Sequence, residues 1–335
     1  MKKLLTFVII VTSTISCKVT SEVKTTGSIE RLDPSLDALV SPDAKIEILA
    51  EGYEWSEGPV WVESQNMLLF SDVPKNTIYK WTEKEGAQVY LTPSGYTGSE
   101  PSQRKEPGSN GLTLDPSGRL VLCQHGDRRV ARMDASLDAP KPIFVTLADN
   151  FEGKKLSSPN DVVFKKNGEI FFTDPPYGLP TQGDNDPAKE TPFNGVYRVT
   201  TGGEVKLLVD SLTRPNGIAF TPDEKTFIVA NSDPEKATWY AFDLEGDSVV
   251  NQRIFFDATP ASKAGEQGLP DGFRIDKEGN MFATGPGGMW IFNREGKVIG
   301  KIKLPQPTSN CAFSADEKTL YITSDMYLLR IKLRK

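Results

Sequence analysis

A motif that recurs six times is the feature that most constrains the fold of this chain. Each copy is a short apolar segment, a polar turn with Gly, Asp or Asn, and a second apolar segment, which is the pattern of a β-hairpin. A third strand-like segment follows in every copy, and a fourth follows in the first five. Four-stranded units repeated radially form a β-propeller. The copies begin at Glu57, Asn110, Asn160, Asn216, Asp271 and Asn310.

The sixth copy ends without a fourth strand, and the missing strand has a candidate at the other end of the chain. The segment Lys45-Ile-Glu-Ile-Leu49 precedes the first copy and has no partner there. If it supplies the outer strand of the last blade, the ring closes. We therefore predict an all-β, six-bladed propeller with four-stranded blades over residues 45–335. A β-sandwich of similar strand number is the alternative, but it would not explain six matched copies and a displaced strand.

The N-terminal segment is typical of an exported protein. Residues 1–3 are Met-Lys-Lys, and residues 4–15 form an apolar stretch too short to span a bilayer, so residues 1–16 are predicted to be a signal peptide. Ser16-Cys17 resembles a bacterial lipobox, which makes Cys17 a candidate lipid anchor. Ordinary secretion with an incidental Cys17 is the alternative. Residues 17–44 are polar and aperiodic and are predicted to be a flexible tether. We expect a periplasmic or cell-surface protein whose membrane contact is confined to that anchor.

The charge balance and the single histidine exclude several classes of function. The chain has 335 residues with 39 basic and 45 acidic side chains and no basic patch, so nucleic acid is not an expected partner. With one histidine, His125, sites that need several His ligands are impossible. Cys123 and Cys311 are expected to be buried thiols. With so few nitrogen and sulfur ligands, a side-chain metal site must rely mainly on oxygen ligands, which favours calcium or magnesium.

The first residue of each repeat is a candidate metal ligand. Pseudo-symmetry places the six first residues at similar radius and height around the channel, and all six carry a side-chain oxygen. Two carboxylates among neutral amides suit a divalent cation that needs six or more oxygen ligands. At any single position, Asn-Gly or Asp-Gly could be an ordinary turn before a strand. The six positions together, with Glu57-Gly-Pro among them, favour the metal site.

Several tripeptides at these positions carry a family resemblance. The motifs Glu57-Gly-Pro, Arg214-Pro-Asn-Gly217 and Leu269-Pro-Asp-Gly272 resemble the gluconolactonase / senescence-marker-protein / regucalcin-like family, over about residues 50–335. The segment Thr173-Asp-Pro-Pro-Tyr-Gly178 is similar to its bacterial secreted gluconolactonase branch. The resemblance implies a six-bladed propeller that holds one divalent cation, calcium above all, with magnesium, manganese and zinc as alternatives. By motif match, the ligands it implies are Glu57, Asn160, Asn216 and Asp271.

The same resemblance implies an activity, the hydrolysis of sugar lactones such as D-glucono-1,5-lactone to D-gluconate. The cation would polarise the lactone carbonyl, and Asp271 would be the general base. Asn110 and Asn310 are candidates for binding the hydroxyl groups of the sugar. Two alternatives stay open: a hydrolase of other lactones or phosphotriesters, similar to paraoxonase and diisopropylfluorophosphatase, and a non-catalytic surface-tethered propeller that binds a sugar or a protein. We expect a monomer.

His125 is a further candidate for substrate binding, with a structural role in a turn as the alternative. It follows the second strand of the second copy, and we expect it at the far end of that strand from the ring of first residues. Tyr177 and Arg104 lie in long segments between blades, which could cover the site or merely solvate loops.

Overall fold

The computed structural model describes residues 23–334. The predicted signal peptide, residues 1–16, and the candidate lipid-anchor residue Cys17 lie outside the described residues. Within residues 23–334, no helix is long and apolar enough to cross a membrane.

The described strands follow the six repeats. Two strands precede them, β1 (Ser28–Arg31) and β2 (Ile46–Glu51), with a 3-10 helix, Pro34–Ala38, between. The first repeat forms β3 (Ser56–Val62), β4 (Met67–Asp72), β5 (Thr77–Thr82) and β6 (Gly86–Leu91), with a short 3-10 turn, Glu63–Gln65. The second forms β7 (Ser109–Leu114), β8 (Leu120–Gln124), β9 (Arg129–Met133) and β10 (Phe144–Ala148), and a small hairpin follows, β11 (Asn150–Phe151) and β12 (Lys154–Lys155).

The remaining repeats have the same organisation. The third forms β13 (Val162–Phe164), β14 (Ile170–Asp174), β15 (Gly195–Val199) and β16 (Val205–Val209). The fourth forms β17 (Pro215–Phe220), β18 (Thr226–Asp233), β19 (Lys236–Glu245) and β20 (Ser248–Asp257), followed by the helix α1 (Thr259–Lys263). The fifth forms β21 (Phe273–Ile275), β22 (Met281–Gly285), β23 (Gly288–Phe292) and β24 (Val298–Lys303), and the sixth forms β25 (Asn310–Phe313), β26 (Thr319–Ser324) and β27 (Tyr327–Lys332).

Strand pairing confirms the predicted six-bladed propeller and its closure. Each repeat forms its own antiparallel sheet, and β2 completes the last blade by pairing with β27, with Ile46 opposite Ile331. The displaced strand predicted from the sequence is therefore the closing strand. It covers the edge that β27 would otherwise expose.

The prediction of a flexible tether is wrong for the part of residues 17–44 that forms secondary structure. β1 pairs with β24 and gives the fifth blade a fifth strand. Leu36, in the helical turn that follows, is fully buried, and Leu39 and Val40 join it in the core between the fifth and sixth blades. The sequence did not reveal this structure because the segment is mostly polar. Its contacts are made by a few apolar side chains that are not regularly spaced. We call residues 28–44 the strap.

The core of the propeller lies between neighbouring blades. In the described part of the chain, the buried apolar residues form six clusters, each built from two adjacent blades. Cys123 and Cys311 are buried free thiols in two of these clusters, as predicted. Because every blade packs on two neighbours, the inner strands are held around the channel from both sides.

Glycine at the second position of the repeat allows the inner strands to approach one another. A Cβ atom on Gly58 would lie 2.2 Å from the backbone oxygen of Asn110. A Cβ atom on Gly217 would lie 2.4 Å from the backbone oxygen of Asp271. Both distances are far below van der Waals contact, so a larger residue would push the strands apart. These glycines therefore set the radius of the ring of first residues.

Candidate functional site

The first residues of the repeats converge on a cavity of about 350 Å³. Five of the six line it, namely Glu57, Asn110, Asn160, Asn216 and Asp271. The volume lies within the range typical of small-molecule sites. The structure therefore brings together the four predicted metal ligands and one predicted substrate-binding residue.

Two carboxyl groups, the buried Glu57 and the partly exposed Asp271, oppose each other electrostatically, and we call them the floor of the cavity. Glu57 is 1% exposed. Burial, and then the charge of Asp161, raises the pKa of Glu57 to about 8. Burial, and then the charge of Glu57, raises the pKa of Asp271 well above its usual range. The floor therefore favours a positively charged partner, because two desolvated carboxylates repel each other when no cation is nearby.

The amide of Asn216 is oriented by the protein. Its Nδ2 donates to Ser232 Oγ at 3.0 Å, and the Ser232 hydroxyl donates to the backbone oxygen of Pro270. This relay directs Asn216 Oδ1 away from Ser232, and the oxygen has no hydrogen-bond donor among the described residues. An amide oxygen held in this way is suited to coordinate a cation.

The donor set on the cavity fits a hard divalent cation. The buried oxygens Asn110 Oδ1, Asn216 Oδ1 and Asp271 Oδ1 all lack a hydrogen-bond partner within residues 23–334. Buried polar atoms are nearly always paired, so three unpaired oxygens in one cavity are available to a cation or to the donor groups of a ligand. No group of three or more His, Cys, Asp or Glu side chains in the described chain is arranged to hold a metal. The candidate site instead mixes two carboxylates with neutral amides.

Asn310, the sixth first residue, lies beside the floor and is absent from the cavity lining. Its Nδ2 donates to Glu57 Oε2 at 3.2 Å, and its Oδ1 accepts from the backbone N–H of Cys311 at 2.8 Å. Both polar atoms are used by the protein. Asn310, predicted to bind substrate, is thus placed to hold Glu57.

His125 lies at the same end of its blade as the ring, so the prediction of the far end is wrong. β7 and β8 are antiparallel, and Ser109 stands opposite Gln124, which brings the end of β8 back to the start of β7. The side chain is fully buried and does not line the cavity. Its Nδ1 lies 3.7 Å from Glu106 Oε2, and burial lowers the pKa of His125 to about 3. His125 is therefore a neutral residue that contacts Glu106 and lies outside the cavity lining.

The wall contains side chains that the repeat did not reveal. Trp55, Glu106 and Tyr177 line it together with Ser232. Trp55 is held by its backbone N–H, which donates to Asp72 Oδ1 at 3.2 Å. Glu106 and Tyr177 come from the long segments between blades, where pseudo-symmetry gives no position. The only indication of Glu106 in the sequence was the Glu-Pro-Gly segment that begins at this residue, just before the second repeat.

Asp161 is a further buried carboxyl group next to the floor. It occupies the second position of its repeat, where four other repeats have glycine. Its Oδ2 lies 3.5 Å from Arg274 Nη1, and its Oδ1 accepts from the backbone N–H of Val162 at 2.9 Å. Arg274 thus offsets part of the negative charge in the channel. The sequence contained a signal for this residue, because an aspartate replaces the glycine found at this position in other repeats.

Comparison with known proteins identifies the family of this chain. The family model described as SMP-30/Gluconolactonase/LRE-like region matches residues 55–326. The chain is 39% identical over 321 residues to a gluconolactonase of Zymomonas mobilis, covering 92% of this chain and 87% of the relative.

Solved structures give the same result. A gluconolactonase from Xanthomonas campestris superposes with a TM-score of 0.79 at 30% identity, covering 95% of this chain and all of that one. A calcium-binding regucalcin from Agrobacterium tumefaciens shares the fold, with a TM-score of 0.64 at 17% identity over 86% of this chain and 94% of its own. The chain belongs to the SMP-30/gluconolactonase/LRE-like family.

Proposed function

We propose that this protein is a lactonase that opens sugar lactones, with D-glucono-1,5-lactone as substrate, and that it needs one divalent cation. The observation that carries the proposal is the set of three unpaired buried oxygens beside two mutually repelling carboxyl groups, in a cavity of substrate size. Its similarity to the Zymomonas mobilis and Xanthomonas campestris gluconolactonases supports the reaction class.

The residues that would hold the cation are Glu57, Asn160, Asn216 and Asp271. Calcium is the proposed ion, because the donors are all oxygens and a structural relative is described as calcium-binding. When bound, the ion supplies Lewis-acid polarisation of the lactone carbonyl.

The side chains of the cavity have distinct roles in the reaction. Asp271 Oδ1, which has no donor in the described structure, accepts a proton from the water that attacks the carbonyl carbon. Asn110 offers its amide to the hydroxyl groups of the sugar. Trp55 supplies an apolar wall against the C–H face of the ring.

A pH-stat assay tests the proposal. We expect the protein to hydrolyse D-glucono-1,5-lactone, to lose this activity in chelator, and to regain it with calcium, with magnesium, manganese and zinc as comparison arms. Asp271→Asn should keep measurable calcium binding by calorimetry and lose most turnover. Asp210→Asn, at an exposed position, is the matched control.

Two results would contradict the proposal. Full activity in chelator would remove the cation from the mechanism, and a wild-type rate in Asp271→Asn would remove the assigned base. A panel with other lactones and a phosphotriester, each with and without chelator, distinguishes the proposed substrate class from other hydrolase activities.

Export is part of the proposal. The chain would be cleaved after residue 16 and act in the periplasm or at the cell surface, with Cys17 as a lipid anchor. Mass spectrometry of the mature N-terminus tests it, since a diacylglyceryl mass on Cys17 supports anchoring and an unmodified Cys17 contradicts it.

A further inference from the structure

Glu106 is a carboxyl group on the cavity wall that the chemistry described above does not use. It lines the same cavity as Glu57 and Asp271 but comes from the segment between the first and second blades. Its Oε1 accepts from Gln182 Nε2 at 3.0 Å. The side chain is 25% exposed, and it is part of the cavity lining. Glu106 is therefore accessible to a substrate.

The surroundings of Glu106 differ from those of the floor carboxyl groups. Among the Lys, Arg and His side chains of residues 23–334, the one nearest to the Glu106 carboxyl group is His125. Its Nδ1 lies 3.7 Å from Glu106 Oε2, and burial keeps His125 neutral. Burial raises the pKa of Glu106 to about 7, against smaller opposing effects of Gln182 and Lys105. A carboxyl group whose pKa lies near neutrality keeps a protonated fraction there, as a general acid requires.

Tyr177 connects the wall to the floor. It lines the cavity, and the charges of both Asp271 and Glu106 act to raise the pKa of its hydroxyl, so the phenol lies within electrostatic reach of both. Glu106 also acts on Asp271 directly, as one of the charges that raise its pKa. A lactone with its carbonyl on the floor would therefore have the rest of its ring towards the wall.

Ring opening requires two proton transfers at different places. The attacking water loses a proton at the carbonyl carbon, and the ring oxygen must gain one as its bond to that carbon breaks, because an alkoxide is a poor leaving group. Carboxyl groups in separate environments can divide these tasks. We propose that Glu106 is the general acid of the lactonase reaction and donates its proton to the leaving ring oxygen. This inference rests on the proposed function.

The step balances without any further reactant. Water forms the new bond to the carbonyl carbon and gives one proton to Asp271. The bond from the carbonyl carbon to the ring oxygen breaks, and that oxygen takes the proton of Glu106. The product is the open-chain hydroxy acid. Proton exchange with solvent returns Asp271 to its basic form and Glu106 to its acidic form.

The groups around Glu106 define the pH dependence that we expect. Several ionisable side chains act on Glu106 or on its neighbours Tyr177, His125 and Asp271. They are Arg104, Lys105, His125, Tyr177, Arg214, Glu57, Asp161 and Asp271. Of these, His125 stays neutral from mildly acidic to alkaline pH. We expect kcat/KM to fall above about pH 7 as Glu106 loses its proton. Glu57, whose pKa burial raises to about 8, lines the same cavity, so the disappearance of this fall in Glu106→Gln is what assigns it to Glu106.

A pair of lactones without hydroxyl groups tests the role. δ-Valerolactone leaves as an alkoxide and dihydrocoumarin leaves as a phenolate, which needs no proton. We expect Glu106→Gln to lower kcat/KM about 100-fold for δ-valerolactone and D-glucono-1,5-lactone, and less than about 3-fold for dihydrocoumarin. The fall in rate above pH 7 should disappear, and Glu106→Asp should restore part of the rate. Glu100→Gln, exposed on the same segment, is the matched control.

Each outcome bears on the inference. Equal losses on both leaving groups, or no loss on either, would overturn the role of Glu106 while wild-type lactonase activity keeps the proposed function. If the wild-type protein opens none of these lactones, the proposed function fails and the inference fails with it. Calcium binding and Tm of Glu106→Gln, measured in parallel, should equal those of the wild type, which separates a proton-transfer defect from misfolding.

Discussion

The strap offers a quantitative test of the fold, because Leu36→Ala removes a fully buried side chain of this segment. Leu36 is 0% exposed in the core between the fifth and sixth blades. It packs so closely on β24 that a Cβ atom on Gly300 would lie 2.5 Å from Leu36 Cδ2. Leucine-to-alanine changes at fully buried sites cost about 2–5 kcal/mol, and we expect about 3 kcal/mol here.

The assay is unfolding followed by tryptophan fluorescence, in denaturant and on heating. At about 2 °C per kcal/mol for a large domain, Leu36→Ala should lower Tm by about 6 °C. Leu32→Ala in the same segment is the control, since Leu32 is 52% exposed and should change stability by less than about 0.5 kcal/mol. The lactonase rate at 25 °C should be unchanged in both variants.

The reasoning is refuted if Leu36→Ala unfolds within 0.5 kcal/mol of the wild type, or if it matches Leu32→Ala. Either result would mean that the strap contributes nothing to the native state, as a flexible tether would. A large loss confined to Leu36→Ala would establish the strap as part of the propeller.

Two further predictions concern the surroundings of the cavity. Ser232→Ala removes the acceptor that orients the Asn216 amide, so it should weaken calcium binding about 10-fold by calorimetry. The Tm in chelator should stay within about 2 °C of the wild type. An unchanged calcium affinity would contradict the orienting relay. His125 has a folded-state pKa of about 3 against 6.5 when unfolded, so protons favour the unfolded state and its contribution is lost as pH falls from 6.5 towards 3. From pH 7 to 5 the wild type should lose about 2 kcal/mol more unfolding free energy than His125→Phe; equal losses would show that His125 is not held neutral.

The repeat made the fold and the floor of the site predictable. A propeller places equivalent residues at equivalent positions, so an alignment of six segments is also a statement about geometry. That is why Glu57 and Asp271 could be placed together although they are far apart in the chain. The same reasoning explains why Asn310 was assigned to substrate: position alone does not reveal that its amide is used by Glu57.

The wall and the strap were not predictable in this way. Glu106 and Tyr177 lie in segments with no counterpart in other repeats, and their positions depend on loop packing. The strap contains too few apolar residues to show a period. His125 was misplaced for a simpler reason, since an antiparallel hairpin returns the end of its second strand to the start of its first.

The closing strand has a consequence for synthesis. Glu57 belongs to the first blade, but its carboxylate is held by Asn310 of the last, and the backbone oxygen of Ser56 accepts from Ser309 Oγ at 2.7 Å. A growing chain therefore carries an incomplete floor until the sixth repeat has been made and β27 has met β2. Any product truncated before Asn310 should lack the side chain that holds Glu57, so the floor depends on residues from both ends of the propeller.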